Sequence, residues 1–507
     1  MKKNYIMNIL YICSFFILGI FCFYFLGDDG YEWYEDSVSY ASIGGEEGVM
    51  PLYPLFLYFI DLLFRGKDYL EAVVWAQAIL SAICVGIFVI YIVKNFSLKW
   101  WEGYFIFIAC LLPFAIDLPG YMVSHKILTE GIAYPLFYLF FLFLIDAICK
   151  KNRKSMLAAI IAATFLALTR SQLLLTYILC AAAAFYIEIR LGLIHRKWIA
   201  GAVKGALLGI AVIAAGMFLT TKLYGIYLND IVPTLKEANT EQYETEKVMK
   251  TETDEEAAES RVENSQFNSA IFNRGFFEAD KEDVLLFREG EEQEIFSLLY
   301  DTLSKEDFLH SSAQKGLWMW KDLTTGSLGV RASEILREYY KEKNPEISNV
   351  TLYNKVSETM AEMGRVILIK HLGRYIYHSM RLMVPGFINS VFFQIEKIYL
   401  LCHIITAGIY LSAVAGCIYY GIKGRKIKNF TASAIEFLGA AILGNIILVS
   451  VTNLVFQGIQ RYVVYIFGIF YVAFYVLIRQ IYLMWLPCLK ERYRRKNRLA
   501  TAEAQEE

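Results

Sequence analysis

Ionisable side chains inside or beside apolar runs are the residues of this sequence best suited to chemistry. A charge removed from water is costly, so such groups are functional candidates by default. The first polar loop, residues 27–50, carries seven acids and no lysine or arginine. A carboxylate placed there can act as a general base, and a nearby arginine or lysine can bind a phosphate. Further candidates lie near the ends of later apolar runs: Asp117, Lys126, Glu130, Arg170 and Arg461.

The composition indicates the elements that must position these groups. Of 507 residues, 57% are hydrophobic and 20% are charged, whereas soluble domains average about 45–50% and about 25%. The mean hydropathy is +0.41. These values exclude a disordered chain, a collagen, a secreted disulfide scaffold and a basic nucleic-acid binder.

A membrane-spanning helix needs about 20 mostly apolar residues. The run at 51–64 is too short to span and begins with prolines, so we expect a helix at the membrane interface; the alternative is one kinked spanning hairpin over 51–93. The fold class predicted is an all-α polytopic membrane protein with about ten transmembrane helices. The predicted spans cover residues 5–26, 70–93, 100–118, 127–148, 156–169, 172–189, 199–222, 397–420, 433–456 and 462–487.

Lysine and arginine are unevenly distributed among the short connections. If the N-terminus is cytoplasmic, the inner connections and the tail are rich in these residues and the outer ones are poor. This asymmetry predicts a multi-pass membrane protein with both termini cytoplasmic. We expect it in a bacterial plasma membrane, with the active site facing outside. The nine cysteines all lie in or beside the predicted spans, without ligand spacing. A disulfide-stabilised exported domain and a structural zinc or haem site are therefore not expected.

The predicted spans divide the chain into four parts. Residues 1–225 form an N-terminal transmembrane module, 396–488 the C-terminal transmembrane helices, and 489–507 a basic then acidic cytoplasmic tail. Between them, residues 226–395 form an extracytoplasmic, mostly helical segment. Its first half is acidic, with 22 Asp or Glu against 8 Lys or Arg over residues 230–307.

The extracytoplasmic segment ends in an amphipathic stretch, residues 359–383. We expect one helix lying on the membrane surface, apolar on one side and basic on the other. His371 and His378 are seven residues apart and share a face. A wet interfacial face is favoured for them over a pair of metal ligands. The basic side is formed by Arg365, Lys370, Arg374 and Arg381.

Several short motifs occur together in the predicted outer regions. The first loop reads WYEDSVSYASIGG and continues into VMPLYPLFLYFIDLLF. Later junctions read FAIDLPGYMVSHKILTEGIAYPLFYLF and ALTRSQLLL, and the last span begins QGIQRYVVYIFGIFYV. Together they resemble the GT-C superfamily of membrane glycosyltransferases, in the branch of protein O-mannosyltransferase-like and aminoarabinose-transferase-like enzymes (family 39 type). The resemblance covers residues 1–225 and part of the last span.

The resemblance implies an inverting glycosyltransferase with an extracytoplasmic helical cap. It would move a sugar from a polyprenyl-phosphate donor to an extracytoplasmic glycan, lipid or protein. Asp36 matches the family's general base and forms a doublet with Glu35. The second-loop acid matches Glu130, with Asp117 as its rival, and the arginine after the fifth span matches Arg170. No cofactor is firmly implied, and a divalent cation is left open because relatives differ in needing one.

The remaining donor-site candidates are Lys126 and Arg461, as outer-face cations, and Tyr40, which can stack on a sugar ring. Each assignment has a structural alternative. Asp36 can cap a short helix, and Glu130 suits the positive end of a helix dipole. Arg170 can snorkel or pair with an acid, and Arg461 can anchor the interface.

Two other functions remain open at this level. A lipid-linked glycan flippase or other transporter predicts polar residues at the bilayer midplane and pseudo-symmetric halves, which the sequence does not clearly show. A glycan polymerase or ligase would transfer an oligosaccharide, and the large outer segment would then enlarge its acceptor site. No partner beyond donor, acceptor and lipid bilayer is expected, and nucleic acid is not.

Overall fold

The computed structural model describes most of the chain before residue 390. The ranges are 2–26, 49–64, 69–96, 98–115, 125–194, 197–238, 265–313 and 327–389, with Tyr31, Ser37, Tyr40 and scattered positions between 401 and 483. All the regular secondary-structure elements in these ranges are helices. The all-helical class is therefore confirmed for the described residues.

The N-terminal module is built from helices that follow the apolar runs. The helices are α1 Lys2–Leu26, α2 Leu52–Phe64, α3 Tyr69–Asn95, α4 Trp100–Ala115, α5 Glu130–Lys150, α6 Arg153–Thr169, α7 Leu175–Ile194, α8 Trp198–Ile226 and α9 Val232–Ala238. A 3₁₀ turn at Ser171–Leu174 connects α6 to α7, and a π-helical turn at Tyr227–Ile231 follows α8.

Four apolar helical stretches of the described chain are long enough to cross a membrane: Tyr69–Asn95, Glu130–Lys150, Gln172–Ile189 and Trp198–Leu235. They match four of the ten predicted spans. The apolar helix α2 has 13 residues. Since a helix rises about 1.5 Å per residue, α2 is too short to cross a bilayer, as expected for the run at 51–64. The last three predicted spans lie almost entirely outside the described residues.

Helices α7 and α8 pack closely along a face of small residues. A Cβ atom on Gly201 would lie 2.5 Å from the Glu188 carbonyl oxygen, and one on Gly205 would lie 2.9 Å from the Cα of Phe185. The opposite face of α8 leaves large apolar side chains exposed, such as Phe218 at 65%. Small residues toward a helix and large apolar ones outward are the pattern of a helix packed within lipid.

The segment 226–395 is helical in its described residues and buries many apolar side chains. A 3₁₀ turn at Lys281–Leu286 lies between its first two helices. Core side chains include Phe272, Phe276, Phe296 and Leu336. The helices are α10 Ser265–Phe276, α11 Glu291–Lys305, α12 Ser327–Lys343, α13 Asn349–Lys370 and α14 Leu372–Asn389.

The predicted single helix over 359–383 is wrong in one respect. Helix α13 ends at Lys370, and α14 begins at Leu372 after a break at His371. Gly373, two residues after the break, is a local signal for it in the sequence, since glycine often follows the end of a helix.

Candidate functional site

Glu130 and Arg170 form a buried ion pair at one end of two neighbouring helices. Glu130 is the first residue of α5 and is fully buried, and its Oε1 pairs with Nη1 of Arg170. Arg170 follows the last residue of α6 in extended conformation, and its amide still donates to the Leu166 carbonyl at 3.1 Å. The hydroxyl of Thr129 donates to the other Glu130 oxygen at 3.0 Å. The chain therefore brings together two predicted site residues 40 positions apart.

Lys126 lies in the connection that leads into α5 and is 4% exposed. Its backbone carbonyl accepts a hydrogen bond of 3.3 Å from Nε2 of Gln77 on α3. Ile127, which follows it, is buried in the apolar contact with α2 and α3, and Leu128 is buried as well. A lysine is almost never fully buried without partners, and this one lies four residues before Glu130 in the chain.

Gln77 is the polar centre of this arrangement and was not among the predicted site residues. It is fully buried in α3, and its Oε1 accepts a hydrogen bond of 2.8 Å from the Tyr53 hydroxyl of α2. A Cβ atom on Gly131 would lie 2.0 Å from the same oxygen. The glycine after Glu130 thus allows the close approach of α5 to Gln77. A lone amide within the apolar run 70–93 was the signal that could have identified it.

Tyr40 connects the first loop to the same group. Its ring packs edge-to-face on the ring of Tyr53, with centroids 5.5 Å apart. Contacts therefore run from Tyr40 through Tyr53 and Gln77 to the connection that carries Lys126 and Glu130. The residues Glu35, Asp36, Asp117 and Arg461 lie outside the described part of the chain, and their predicted roles stay predictions.

The geometry at Glu130 does not suit a metal ion. One of its oxygens accepts from Thr129, and the other is paired with Arg170. A second cation beside the guanidinium would be repelled by it. The acids of the first loop and Asp117 lie outside the described residues.

A second charged cluster, the histidine–carboxylate cluster, lies in the segment 226–395. His378 Nδ1 lies 2.8 Å from Oε1 of the fully buried Glu278, and His371 Nε2 lies 2.7 Å from Oδ2 of Asp283. His310 Nε2 lies 3.1 Å from Oδ1 of Asp280. The cluster comprises Glu278, Asp280, Asp283, His310, His371, Arg374 and His378.

Arg374 supplies the positive charge of this cluster. Its Nη2 donates to Asp280 Oδ2 and to His371 Nδ1, both at 2.8 Å. One ligand atom each from Asp280, Asp283 and His371 comes within 4.8 Å of the others, a spacing that metal sites also show. Here the guanidinium takes the place of the cation. Because it donates to Nδ1, the ring proton of a neutral His371 lies on Nε2 and points to Asp283.

The cluster perturbs the titration of two of its members. Burial raises the pKa of Asp280, but hydrogen bonds from Arg374 and His310 outweigh it, and the net pKa is lowered. Burial and the charge of Arg374 lower the pKa of His310, against the opposing effect of Asp280. At neutral pH the geometry therefore favours ionised Asp280 and neutral His310.

The expected wet face for His371 and His378 is wrong. His378 is 8% exposed and His371 is half-buried, and both hydrogen-bond to acids of the segment's core. Seven-residue spacing correctly placed them on one face but could not say whether that face points inward. The acids that receive them lie 88 and 100 residues earlier in the chain.

Comparison with known proteins adds no family to this geometry: no family model, curated protein or solved structure matches the chain.

Proposed function

We propose that this protein is a membrane glycosyltransferase that moves a sugar from a polyprenyl-phosphate carrier to an extracytoplasmic acceptor. The observation that carries the proposal is the buried Glu130–Arg170 pair at the start of α5. The connection that leads into α5 carries the buried Lys126 and is linked through Gln77 and Tyr53 to Tyr40 of the acidic first loop. Largely buried cations whose surroundings contact Tyr40 of a loop with seven acids suit a reaction with a phosphate leaving group and a general base. The proposal includes about ten spans and both termini in the cytoplasm.

In the proposed reaction, Asp36 accepts the proton of the acceptor hydroxyl. The acceptor oxygen then attacks the anomeric carbon as the bond from that carbon to the phosphate oxygen breaks. The polyprenyl phosphate leaves with the bonding electron pair, and the configuration at the anomeric carbon is inverted. Charge grows on the phosphate, so Arg170, with Lys126 and Arg461, is assigned to stabilise it.

Glu130 has a different role in this proposal from that of a proton acceptor. It is fully buried and holds Arg170 through one oxygen. A carboxylate held in this way fixes the guanidinium in one rotamer, which is the preorganisation that electrostatic catalysis requires. Glu130 therefore acts as a positioning residue, and Asp36 and Arg170 are the groups assigned to touch the substrate.

The test uses the full chain in lipid nanodiscs with a panel of polyprenyl-phosphate sugars and extracytoplasmic glycan, lipid and protein acceptors. Mass spectrometry would detect a new glycosidic bond and the released polyprenyl phosphate. Asp36→Asn should slow transfer by about 10²–10⁴-fold, because loss of a general base has effects of this size. The matched control is Asp301→Asn, on the exposed side of α11.

Retention of the wild-type transfer rate in Asp36→Asn would remove Asp36 from the mechanism. Movement of the glycolipid across a vesicle membrane without any new glycosidic bond would instead favour a flippase. Transfer of an oligosaccharide where single sugars are inert would favour a polymerase or ligase.

A further inference from the structure

Helix α14 differs from a helix on the surface of a soluble protein in how it distributes its side chains. Arg374, His378 and Ser379 contact other parts of the segment, whereas several large apolar side chains are exposed. On the inner side, His378 and Ser379 are 8% and 4% exposed. On the outer side, Ile376 and Met380 are 48% and 60% exposed. A helix with this distribution gains nothing from contact with water.

Hydrogen bonds and ion pairs fix the rotation of α14. Arg374 pairs with Asp280, and His378 hydrogen-bonds to Glu278. Ser379 follows His378, and its hydroxyl accepts a 2.7 Å hydrogen bond from Nη2 of the buried Arg274 on α10. These contacts leave the apolar stripe outward. Breaking buried charge pairs is costly, so rotating α14 to hide the stripe is strongly opposed.

The outward stripe continues across the break at His371. Ile369, in the last turn of α13, is 69% exposed, and Leu372 at the start of α14 is 50% exposed. Residues 372, 376 and 380 repeat every four positions and so line one side of the helix. Tyr377, 56% exposed, widens the stripe and lies under the guanidinium of Arg381.

Most charges near the stripe are positive. Between residues 363 and 395 the sequence contains four cations and no Asp or Glu, and the nearest acids along the chain are Glu362 and Glu396. Arg365, Lys370 and Arg381 are exposed, whereas Arg374 faces inward to the cluster. An apolar stripe bordered by cations complements a bilayer surface with anionic headgroups. The apolar sequence that resumes at residue 397 leads the chain from this helix toward a predicted span.

We propose that the outward face of α14, with Ile369 of α13, docks on the surface of the lipid bilayer. The histidine–carboxylate cluster holds the helix in the rotation that presents this face. Docking fixes the extracytoplasmic segment at the membrane, with its histidine–carboxylate cluster turned away from lipid. The proposal rests on the exposure and charge of these residues and does not depend on the reaction proposed above.

The test places a photo-crosslinking benzoyl-phenylalanine at Met380 of the full chain in nanodiscs of phosphatidylethanolamine and phosphatidylglycerol. After illumination, mass spectrometry identifies the adduct. Val330 on α12 is the matched control, because it is an equally exposed apolar residue (61%) outside the stripe. Lipid adducts are expected at position 380 and not at position 330.

A second variant, with the crosslinker at Ile376, guards against a local effect at one position. Lipid adducts at 376 and 380 but not at 330 would support docking. Adducts to protein at both stripe positions would show that another chain or another segment covers the stripe, and an absence of lipid adducts there would show that it faces water. Either result would overturn the proposal.

Discussion

Arg170 and Glu130 form an ion pair that connects the end of α6 to the start of α5, with the carboxylate fully buried and the arginine side chain 14% exposed. Neither charge can lose its partner without leaving the other uncompensated in a low-dielectric environment. Arg170→Met should therefore destabilise the protein by roughly 3–5 kcal/mol. The double variant Glu130→Met/Arg170→Met should recover most of this loss. Unfolding of the purified protein in detergent, followed by intrinsic fluorescence, measures both effects.

Additive effects of the two substitutions would contradict a direct pair, because residues in contact show a coupling free energy. The matched control is Arg331→Met. Arg331 is also paired with a glutamate, its Nη2 lying 2.9 Å from Oε1 of Glu306, but the pair is exposed. Exposed pairs contribute about 0–1 kcal/mol, so the control should change stability little.

Gln77 is predicted to stabilise the connection that carries Lys126. Gln77→Leu would leave the Tyr53 hydroxyl and the Lys126 carbonyl without their partner. The expected loss is about 1–3 kcal/mol, the cost of unsatisfied buried polar groups. Ser81 provides the control, since it lies one turn later on α3 and its buried hydroxyl has no hydrogen-bond partner. Ser81→Ala should be neutral or stabilising, and an equal loss in both variants would exclude a specific role for Gln77.

The crossing of α10 and α13 should tolerate no side chain at its centre. A Cβ atom on Gly275 would lie 1.9 Å from the Gly364 carbonyl oxygen. Gly275→Ala must separate the two backbones, and overpacking of this kind costs about 1–3 kcal/mol or more. Gly373→Ala is the control, because no atom lies within 4 Å of its Cβ position. Limited proteolysis of residues 265–389 should accelerate for Gly275→Ala alone; equal rates would place the helices farther apart.

The histidine–carboxylate cluster should make the stability of the helices in residues 265–389 sensitive to acid. The folded pKa of His310 is lowered, so its neutral form contributes stability above the ordinary histidine pKa of about 6.5, and this contribution is lost as the pH falls from there. The folded pKa of Asp280 is also lowered, so its contribution is lost as the pH falls below about 3.8. Both groups bind more protons when unfolded, so stability falls with pH in both windows.

Hydrogen exchange of peptides from 265–389, measured between pH 7 and pH 5 and corrected for intrinsic rates, tests the upper window. Protection should decrease in the wild type and decrease less in His310→Gln. Arg374→Gln should lower protection at both pH values because Asp280 loses its guanidinium partner. Protection that is independent of pH in the wild type would contradict the predicted titration of His310.

The sequence could predict those features that depend on local pattern. The apolar runs predict helices such as α3 and α5, because about 20 consecutive apolar residues match the length of a membrane-spanning helix. Glu130 and Arg170 were identified as candidates because charges are rare in such runs. Their pairing was not, since it depends on how α5 and α6 pack. His371 and His378 were assigned to the wrong environment for the same reason: periodicity defines a face but not its neighbour.

The claim that Arg170 serves phosphate chemistry, and not only folding, is tested most directly by the transfer rate of the Glu130→Met/Arg170→Met double variant. The comparison uses nanodiscs with polyprenyl-phosphate sugars, alongside Arg331→Met. The account predicts a double variant that unfolds near the wild-type temperature but transfers sugar about 10²–10³-fold more slowly, the usual effect of losing a preorganised electrostatic donor. A folded double variant with the wild-type transfer rate would contradict it.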